Sequence, residues 1–293
     1  MNYLPAGYQN TRDNYPLLIF LHGLGERGAG TPTTITNVLR HGPPKLISQR
    51  QWPDSFLVGG KKHQFIVISP QHINWPTPGD VDTLISFLIA NYRVDRSRIY
   101  LTGLSMGGGV AWNYVGSNNG FARRVAAIVP ICGASSPSVT RSNIIAANNL
   151  PVWATHNEGD PTAPVAYTNN YITYINGAPK PPNPLARKTI FAVSGHDAWT
   201  RTYTPSYREN NMNVYEWMLQ FSRRFTNTWR ATTSTVWEST ANWTEGLLPD
   251  ANTDVFINSG NVVIKSNVVI RSLTVAPGAS VRVQAGYTLT VLQ

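Results

Sequence analysis

Arg98–Thr102 (RIYLT) is a short apolar run with strand character, and it leads directly into Gly103-Leu104-Ser105-Met106-Gly107 and then Gly108-Gly109-Val110. No other feature constrains the fold as tightly as this G-x-S-x-G sequence held between a strand and a helix. Small residues on both sides of Ser105 permit a tight, strained turn that lifts its hydroxyl above the end of a sheet. The Met106 N–H then lies beside the atom that the hydroxyl would attack.

The same alternation of strand and helix runs through the first two-thirds of the chain. Pro16–Leu21 (PLLIFL) and Gln64–Ser69 (QFIVIS) are continuous apolar runs, and Val125–Pro130, Leu150–Thr155 and Lys188–Val193 read the same way. Behind Asp80, the residues Val81, Leu84, Ile85, Leu88, Ile89 and Tyr92 recur at helical spacing, which predicts one buried helix face with Asp80 as its N-cap. Further helices are expected around Val110–Val115 and over Met212–Phe225. Short apolar strands separated by helices indicate an α/β fold with a mostly parallel sheet covered on both faces.

At 293 residues the chain exceeds the usual reach of one hydrophobic core, and its text changes at Thr226. From there to Thr244 it is dense in Thr and Ser, and after Pro249 it holds only short strand-like runs. Asn261–Ser266 (NVVIKS) is nearly repeated by Asn267–Ser272 (NVVIRS). The expected organisation is an α/β domain over 1–225, a Thr/Ser-rich linker over 226–244 and a small all-β module over 245–293.

Several classes are excluded. No apolar run approaches the ~18–20 residues that span a bilayer. A single cysteine, Cys132, leaves no internal disulfide framework and no multi-cysteine zinc site. The net charge of +9 comes from the first 225 residues, where 20 Lys/Arg face 11 Asp/Glu. These basic residues are scattered rather than clustered, so nucleic acid is not an expected partner and a solvated basic surface is. Phosphate-loop, dinucleotide and metal-spaced patterns do not occur, so neither a cofactor nor a metal is expected. Met1-Asn2-Tyr3-Leu4-Pro5 does not read as a secretion leader.

A serine nucleophile needs a base and an acid behind it, following in the order Ser, acid, His on loops after later strands. His196, just past Lys188–Val193, is the only histidine downstream of His156. The acid should follow Leu150–Thr155, where Asp160 stands between Glu158 and Pro161; Glu158 competes with it, and Asp197 adjoins His196 too closely to serve. After Pro16–Leu21 comes His22-Gly23-Leu24-Gly25, whose glycines let the Leu24 N–H turn toward Ser105 opposite the Met106 N–H, as two oxyanion donors. Gln71, Trp75 and Trp199 lie on loops at the expected ligand-binding edge of the sheet and are candidate substrate contacts.

These segments resemble the α/β-hydrolase superfamily over about residues 1–225. The nearest likeness is to bacterial esterases related to polyhydroxybutyrate depolymerases, dienelactone hydrolases, and feruloyl or acetylxylan esterases of carbohydrate esterase family one. The resemblance is carried by LIFLHGLGERG (18–28), HGPPKLI (41–47), VISPQ (67–71), RIYLTGLSMGGG (98–109), VPICGA (129–134), HNEGDPTAPV (156–165) and GHDAWTRTY (195–203). It implies an α/β-hydrolase fold and a serine carboxylic-ester hydrolase with Ser105, Asp160 and His196 as triad and Leu24 and Met106 as oxyanion donors. Feruloyl or acetyl esters of plant polysaccharides are the expected substrates. Polyester hydrolysis, peptidase activity and a glycan-binding protein with a silent hydrolase domain are the alternatives. The C-terminal part resembles β-modules on secreted Bacteroidota proteins, which implies an extracellular or cell-surface location. There Trp237, Trp243 and Tyr287 would stack on sugars, or the module would act as spacer or anchor.

Overall fold

The computed structural model describes residues 1–230 and 234–293. The chain divides into two compact units, Met1–Ser222 and Arg223–Gln293. The first unit is built on strands β1 (Asn2–Tyr3), β2 (Tyr15–Leu21), β5 (Ile66–Ile68), β6 (Val94–Leu104), β7 (Ala127–Ile131), β8 (Trp153–Gly159) and β9 (Arg187–Ser194). They form one sheet in the order β1-β5-β2-β6-β7-β8-β9, parallel throughout except for β1. A separate hairpin, β3 (Phe56–Val58) with β4 (Lys61–His63), precedes β5. The helices are α1 (Gly42–Ser48), α2 (Pro78–Asn91), α3 (Met106–Ser117), α4 (Asn119–Arg124), α5 (Val139–Ala147), α6 (Val165–Asn176), α7 (Trp199–Tyr203) and α8 (Val214–Leu219).

The period of two in each strand sorts the core into two layers. Leu17, Ile19 and Leu21 of β2 pack with Val81, Ile85, Val110, Ile145 and Ile175 of the helices α2, α3, α5 and α6 on one face. Leu18 and Phe20 point the other way, into Trp52, Phe56, Phe65, Tyr215 and Met218. This double burial is why these strands read as unbroken apolar runs. Helix α2 starts three residues earlier than expected: Thr77 is the N-cap, Pro78 follows it, and Asp80 closes a capping box by accepting from the Thr77 N–H at 2.8 Å. The closing helix α8 stops at Leu219, well short of Phe225, which instead opens a strand of the second unit. Among the described residues no helix is long and apolar enough to cross a membrane.

The second unit comprises β10 (Phe225–Thr228), β11 (Thr253–Ile257), β12 (Asn261–Ile264), β13 (Val268–Ile270), β14 (Ser272–Val275), β15 (Ser280–Val283) and β16 (Leu289–Val291). Its strands pair in parallel, β10 with β11, β11 with β14, β12 with β15, and β13 with β16, beside an isolated antiparallel bridge between Trp229 and Trp243. Asp254 pairs with Ser272, Asn261 with Ser280 and Val268 with Leu289, so the chain winds through three strands and returns about 20 residues later. This is a parallel solenoid. The NVVIKS/NVVIRS echo forms two successive sides of one coil, β12 and β13, rather than two stacked coils.

Two expectations change here. The stretch 226–244, read as a linker, lies inside the second unit: β10 pairs within its sheet, and Trp229, Trp237 and Trp243 fill its core beside Val255, Ile257, Val262 and Ile264. Residues 231–233 of that stretch are outside the described residues. Trp237 and Trp243 are each 1% exposed and meet edge to face at 4.6 Å, so neither offers a face to a sugar. Thr and Ser mask the pattern because the three tryptophans are too widely spaced to show a strand or helix period. Tyr287 remains exposed.

The packing of α3 onto β2 depends on Gly107, where an added Cβ would sit 2.0 Å from the Leu21 carbonyl oxygen. Backbone cannot swing aside as a side chain can. Gly107→Ala should therefore lower stability by about 3 kcal/mol or prevent folding, read as the thermal midpoint of the purified variant or its loss from the soluble fraction. A soluble variant with the wild-type midpoint would mean that β2 and α3 are not held this closely.

Candidate active site

The strand order turns back on itself at β2, with β5 on one side and β6 on the other. Ligands of open α/β sheets bind at such a switch point, outside the carboxyl ends of the strands. Two of the sequence-derived segments leave the sheet there: the Leu24 loop after β2 and the Ser105 turn after β6.

Ser105 stands alone between the last residue of β6 and the first of α3, with φ 53° and ψ −114°. A non-glycine residue in this conformation carries strain of roughly 1–3 kcal/mol. Its backbone is tied down on both sides: the N–H donates to Ile131 O at 2.8 Å, and the carbonyl accepts from Gly109 N at 2.9 Å and Ala134 N at 3.0 Å. Gly103 and Gly107 make the turn possible, since a Cβ on Gly103 would meet the Gly107 carbonyl carbon at 2.5 Å.

The hydroxyl so presented lies 2.8 Å from His196 Nε2, and His196 Nδ1 lies 2.6 Å from Asp160 Oδ2. The structure thus brings Ser105, His196 and Asp160 together in one hydrogen-bonded chain. Asp160 has no exposed side-chain surface, and its Oδ1 accepts the backbone N–H groups of Thr162 at 2.8 Å and Ala163 at 3.0 Å. Burial opposes its ionisation. The hydrogen bonds from His196, Ala163 and Thr162 outweigh that and hold its pKa below the ordinary carboxylate range. Glu158 is exposed at the end of β8, and Asp197 caps α7 by accepting from Thr200 N at 2.8 Å, so neither substitutes for Asp160.

Met106 and Leu24 each open a helical turn, α3 and a 3-10 turn respectively, so their N–H groups find no acceptor within that turn. The Leu24 loop lies against the end of β6, since a Cβ on Gly23 would sit 2.7 Å from Leu104 Cδ1. His22 braces the loop from beneath: buried, it bonds Gly23 O through Nδ1 at 2.7 Å and accepts His72 N at Nε2 at 2.9 Å. Glu26 closes the turn by accepting Gly23 N at 2.9 Å.

The three expected substrate contacts separate. Trp75 is 43% exposed, and its indole lies over Gly109 in the first turn of α3. Trp199 is mostly buried, donates from Nε1 to His41 Nδ1 at 3.2 Å and sets its edge against the His196 ring at 5.1 Å. It supports the imidazole. Gln71 is engaged with backbone: its Nε2 donates to Glu26 O at 2.9 Å and Thr34 O at 2.6 Å, and its Oε1 accepts Gly30 N at 3.0 Å. It shapes the loop that carries Leu24. His41, which backs Trp199, carries no sequence signal for that role. Among the described residues the one convergent trio of possible metal donors is Cys132, Asp160 and His196. Two of these are committed to the Ser105 chain, and burial pushes the Cys132 thiol up to about 12, so it is protonated at neutral pH.

No protein-family model matches the sequence, and no curated protein matches it. Solved structures do. The chain is similar to a thermostable esterase at 25% identity and TM-score 0.54, the match covering 76% of this chain and 58% of that one. It is also similar to a bifunctional GH43-CE protein from Bacteroides eggerthii, at 16% identity and TM-score 0.50, covering 75% of this chain and 35% of the other. A third likeness, to a serine-to-alanine variant of the feruloyl esterase module from Clostridium thermocellum complexed with sinapinate, has 17% identity and TM-score 0.46 over 72% and 83% of the two chains. The chain has the α/β-hydrolase fold, and its structural neighbours are esterases and related hydrolases. It spans less than two-thirds of the thermostable esterase.

If Asp160 is the orienting acid, Asp160→Asn should lower kcat toward an activated ester on the order of 10⁴-fold, whereas Glu158→Gln should change it less than about threefold, in keeping with an exposed side chain. Reversal of the two effects in steady-state assays would move the acid to Glu158.

Proposed function

We propose that this chain is a serine carboxylic-ester hydrolase working through an acyl-enzyme. The observation that carries the reading is the Ser105–His196–Asp160 chain, 2.8 Å and 2.6 Å between its members, held at a strained turn over the switch point of the sheet. Likeness to the thermostable esterase supports it. His196 takes the Ser105 proton as the oxygen attacks the ester carbonyl, and Asp160 orients the imidazole and balances its charge. The oxyanion of the tetrahedral intermediate sits between the Leu24 and Met106 N–H groups, each such donor being worth about 10²–10³ in rate. His196 then protonates the leaving alcohol, and in the second half of the cycle it activates water to release the acid.

The acyl group we favour is a hydroxycinnamoyl group such as feruloyl, on a plant polysaccharide. Three large apolar side chains stand exposed on the loops after β2 and β5: Leu24 at 51%, Ile73 at 62% and Trp75 at 43%. A flat aromatic acyl chain would cover such surface, whereas an acetyl group would leave it wet. A basic surface suits uronate-bearing chains, and action on an extracellular polymer is part of the same reading. Polyester hydrolysis is the second reading, favoured by the same exposed apolar side chains.

Turnover of p-nitrophenyl acetate, methyl ferulate and a peptide amide by the full chain tests the reading. Hydrolysis of both esters but not the amide is expected, and Ser105→Ala should lose turnover by several orders of magnitude with its thermal midpoint unchanged. Ser105→Ala with wild-type turnover would sink the mechanism. Trp75→Ala should raise KM for methyl ferulate about tenfold, in line with ~1–1.5 kcal/mol of lost aromatic contact, and leave p-nitrophenyl acetate within about twofold. Equal effects on the two esters would remove Trp75 from acyl recognition.

A further inference from the structure

Two imidazoles approach Asp160, and only one of them belongs to the pair with Ser105. The other, His156, lies on β8 with its ring fully buried. Its Nε2 is 2.9 Å from Ala163 O and 3.1 Å from Asp160 Oδ2, and its Nδ1 is 2.8 Å from Thr168 Oγ1 on α6. A carbonyl and an ionised carboxylate can only accept, so Nε2 carries the hydrogen, donating it to Ala163 O and presenting it beside Asp160 Oδ2, while Nδ1 accepts the Thr168 hydroxyl. Burial also lowers the His156 pKa, consistent with a neutral ring. The carboxylate of Asp160 therefore accepts Thr162 and Ala163 on Oδ1 and His196 on Oδ2, with the N–H edge of His156 set 3.1 Å from that same Oδ2.

We propose that His156 is a positioning residue for the ester hydrolysis described above: backed by Thr168, it fixes the Asp160 carboxylate facing His196 and keeps it a weak enough base to leave their shared proton on His196. The proposal rests on that reading of the active site. A donor to the charged form of a carboxylate stabilises that form, and a second donor on Oδ2 competes with His196 for the same electron density. Without His156, Oδ2 would face one donor instead of two. Its pull on the imidazolium form of His196 would increase, and the carboxylate would be freer to turn.

The other groups facing this pair are accounted for. Ser105 approaches from the turn, and Cys132, at the end of β7, donates Sγ–H to His196 O at 3.2 Å as an uncharged thiol. Trp199 of α7 lies edge-on to the ring, with His41 behind it and Glu26 3.7 Å beyond His41. Asp197 is occupied with Thr200, and Glu158 points to solvent. His156 is the one side-chain donor from β8 that reaches the carboxylate directly.

The test compares His156→Met, which removes the donor, with His156→Gln, whose amide N–H replaces Nε2–H, and Thr168→Val, which leaves the ring but removes the hydroxyl behind it. Each full-length variant is read three ways: kcat and KM on p-nitrophenyl acetate, the pH dependence of Ser105 labelling by a fluorophosphonate, and the thermal midpoint. His156→Met should lower kcat roughly 10–100-fold with KM nearly constant, as expected for misplacement at the reacting centre. It should also move the acid limb of the labelling profile up by about half to one pH unit, because the less-solvated carboxylate favours protonated His196. His156→Gln should restore the limb and most of kcat, and Thr168→Val should shift the limb in the same direction by less. The proposal is overturned if His156→Met and His156→Gln lower the midpoint alike while the limb stays at its wild-type position, the result of a packing role alone. If His156→Met does not fold, an unmoved limb in Thr168→Val together with a moved limb in His156→Gln overturns it. Wild-type protein that no fluorophosphonate labels would instead refute the esterase reading, a separate outcome.

Discussion

The Leu21 carbonyl occupies the place where a side chain on residue 107 would begin, and this contact sets the geometry of the whole hydrolase unit. It brings the end of β2 against the first turn of α3, so the loop after β2 and the turn after β6 open at the same spot. Only glycine at 103 and 107 permits that approach, and only a strained Ser105 joins the two elements in the one residue left between them. The strain is sustained by the sheet: β6 is held between β2 and β7, and three backbone hydrogen bonds pin Ser105 itself. The chemistry of the site is thus a by-product of how tightly a helix can sit on a parallel strand.

A second layer of structure serves orientation. Gln71 ties the loop bearing Leu24, His22 and Glu26 close its turn, and Trp199 with His41 backs the His196 ring. None of these side chains is drawn from the strands that make the sheet. They come from the loops and short helical turns that follow the strands, where side chains support one another as well as the core. The result is an imidazole and a carboxylate each held by at least one partner outside the trio, and a hydroxyl carried on a backbone that Ile131, Gly109 and Ala134 pin.

What the sequence disclosed follows from how local each cause is. The turn at Ser105, the α/β alternation and the positions of Asp160 and His196 rest on residues adjacent in the chain or ordered along it, and the structure places those side chains within hydrogen-bonding reach. Burial of Trp237 and Trp243 depends on coils that close only after about 20 residues, beyond any local period. The N-cap lies at Thr77 rather than Asp80 because Pro78 favours the first helical position. Gln71 is a polar side chain on a loop at the carboxyl edge of the sheet, where sequence does not separate backbone from ligand as its partner; in the fold it bonds Glu26 O, Thr34 O and Gly30 N.

The solenoid of the second unit has a consequence for how such a chain can vary. Each coil hydrogen-bonds to its neighbours in register, Asp254 on Ser272 and Asn261 on Ser280, and adds one strand spacing of about 4.8 Å along the axis. Length is therefore quantised. Loss or duplication of one whole coil preserves every remaining pairing, whereas loss of a single residue within a strand turns its buried side chains outward. At the corners between successive sides, such as Pro277-Gly278, insertions are absorbed, so natural variation in this unit should come in whole-coil steps and in its corners, with the strands themselves keeping count.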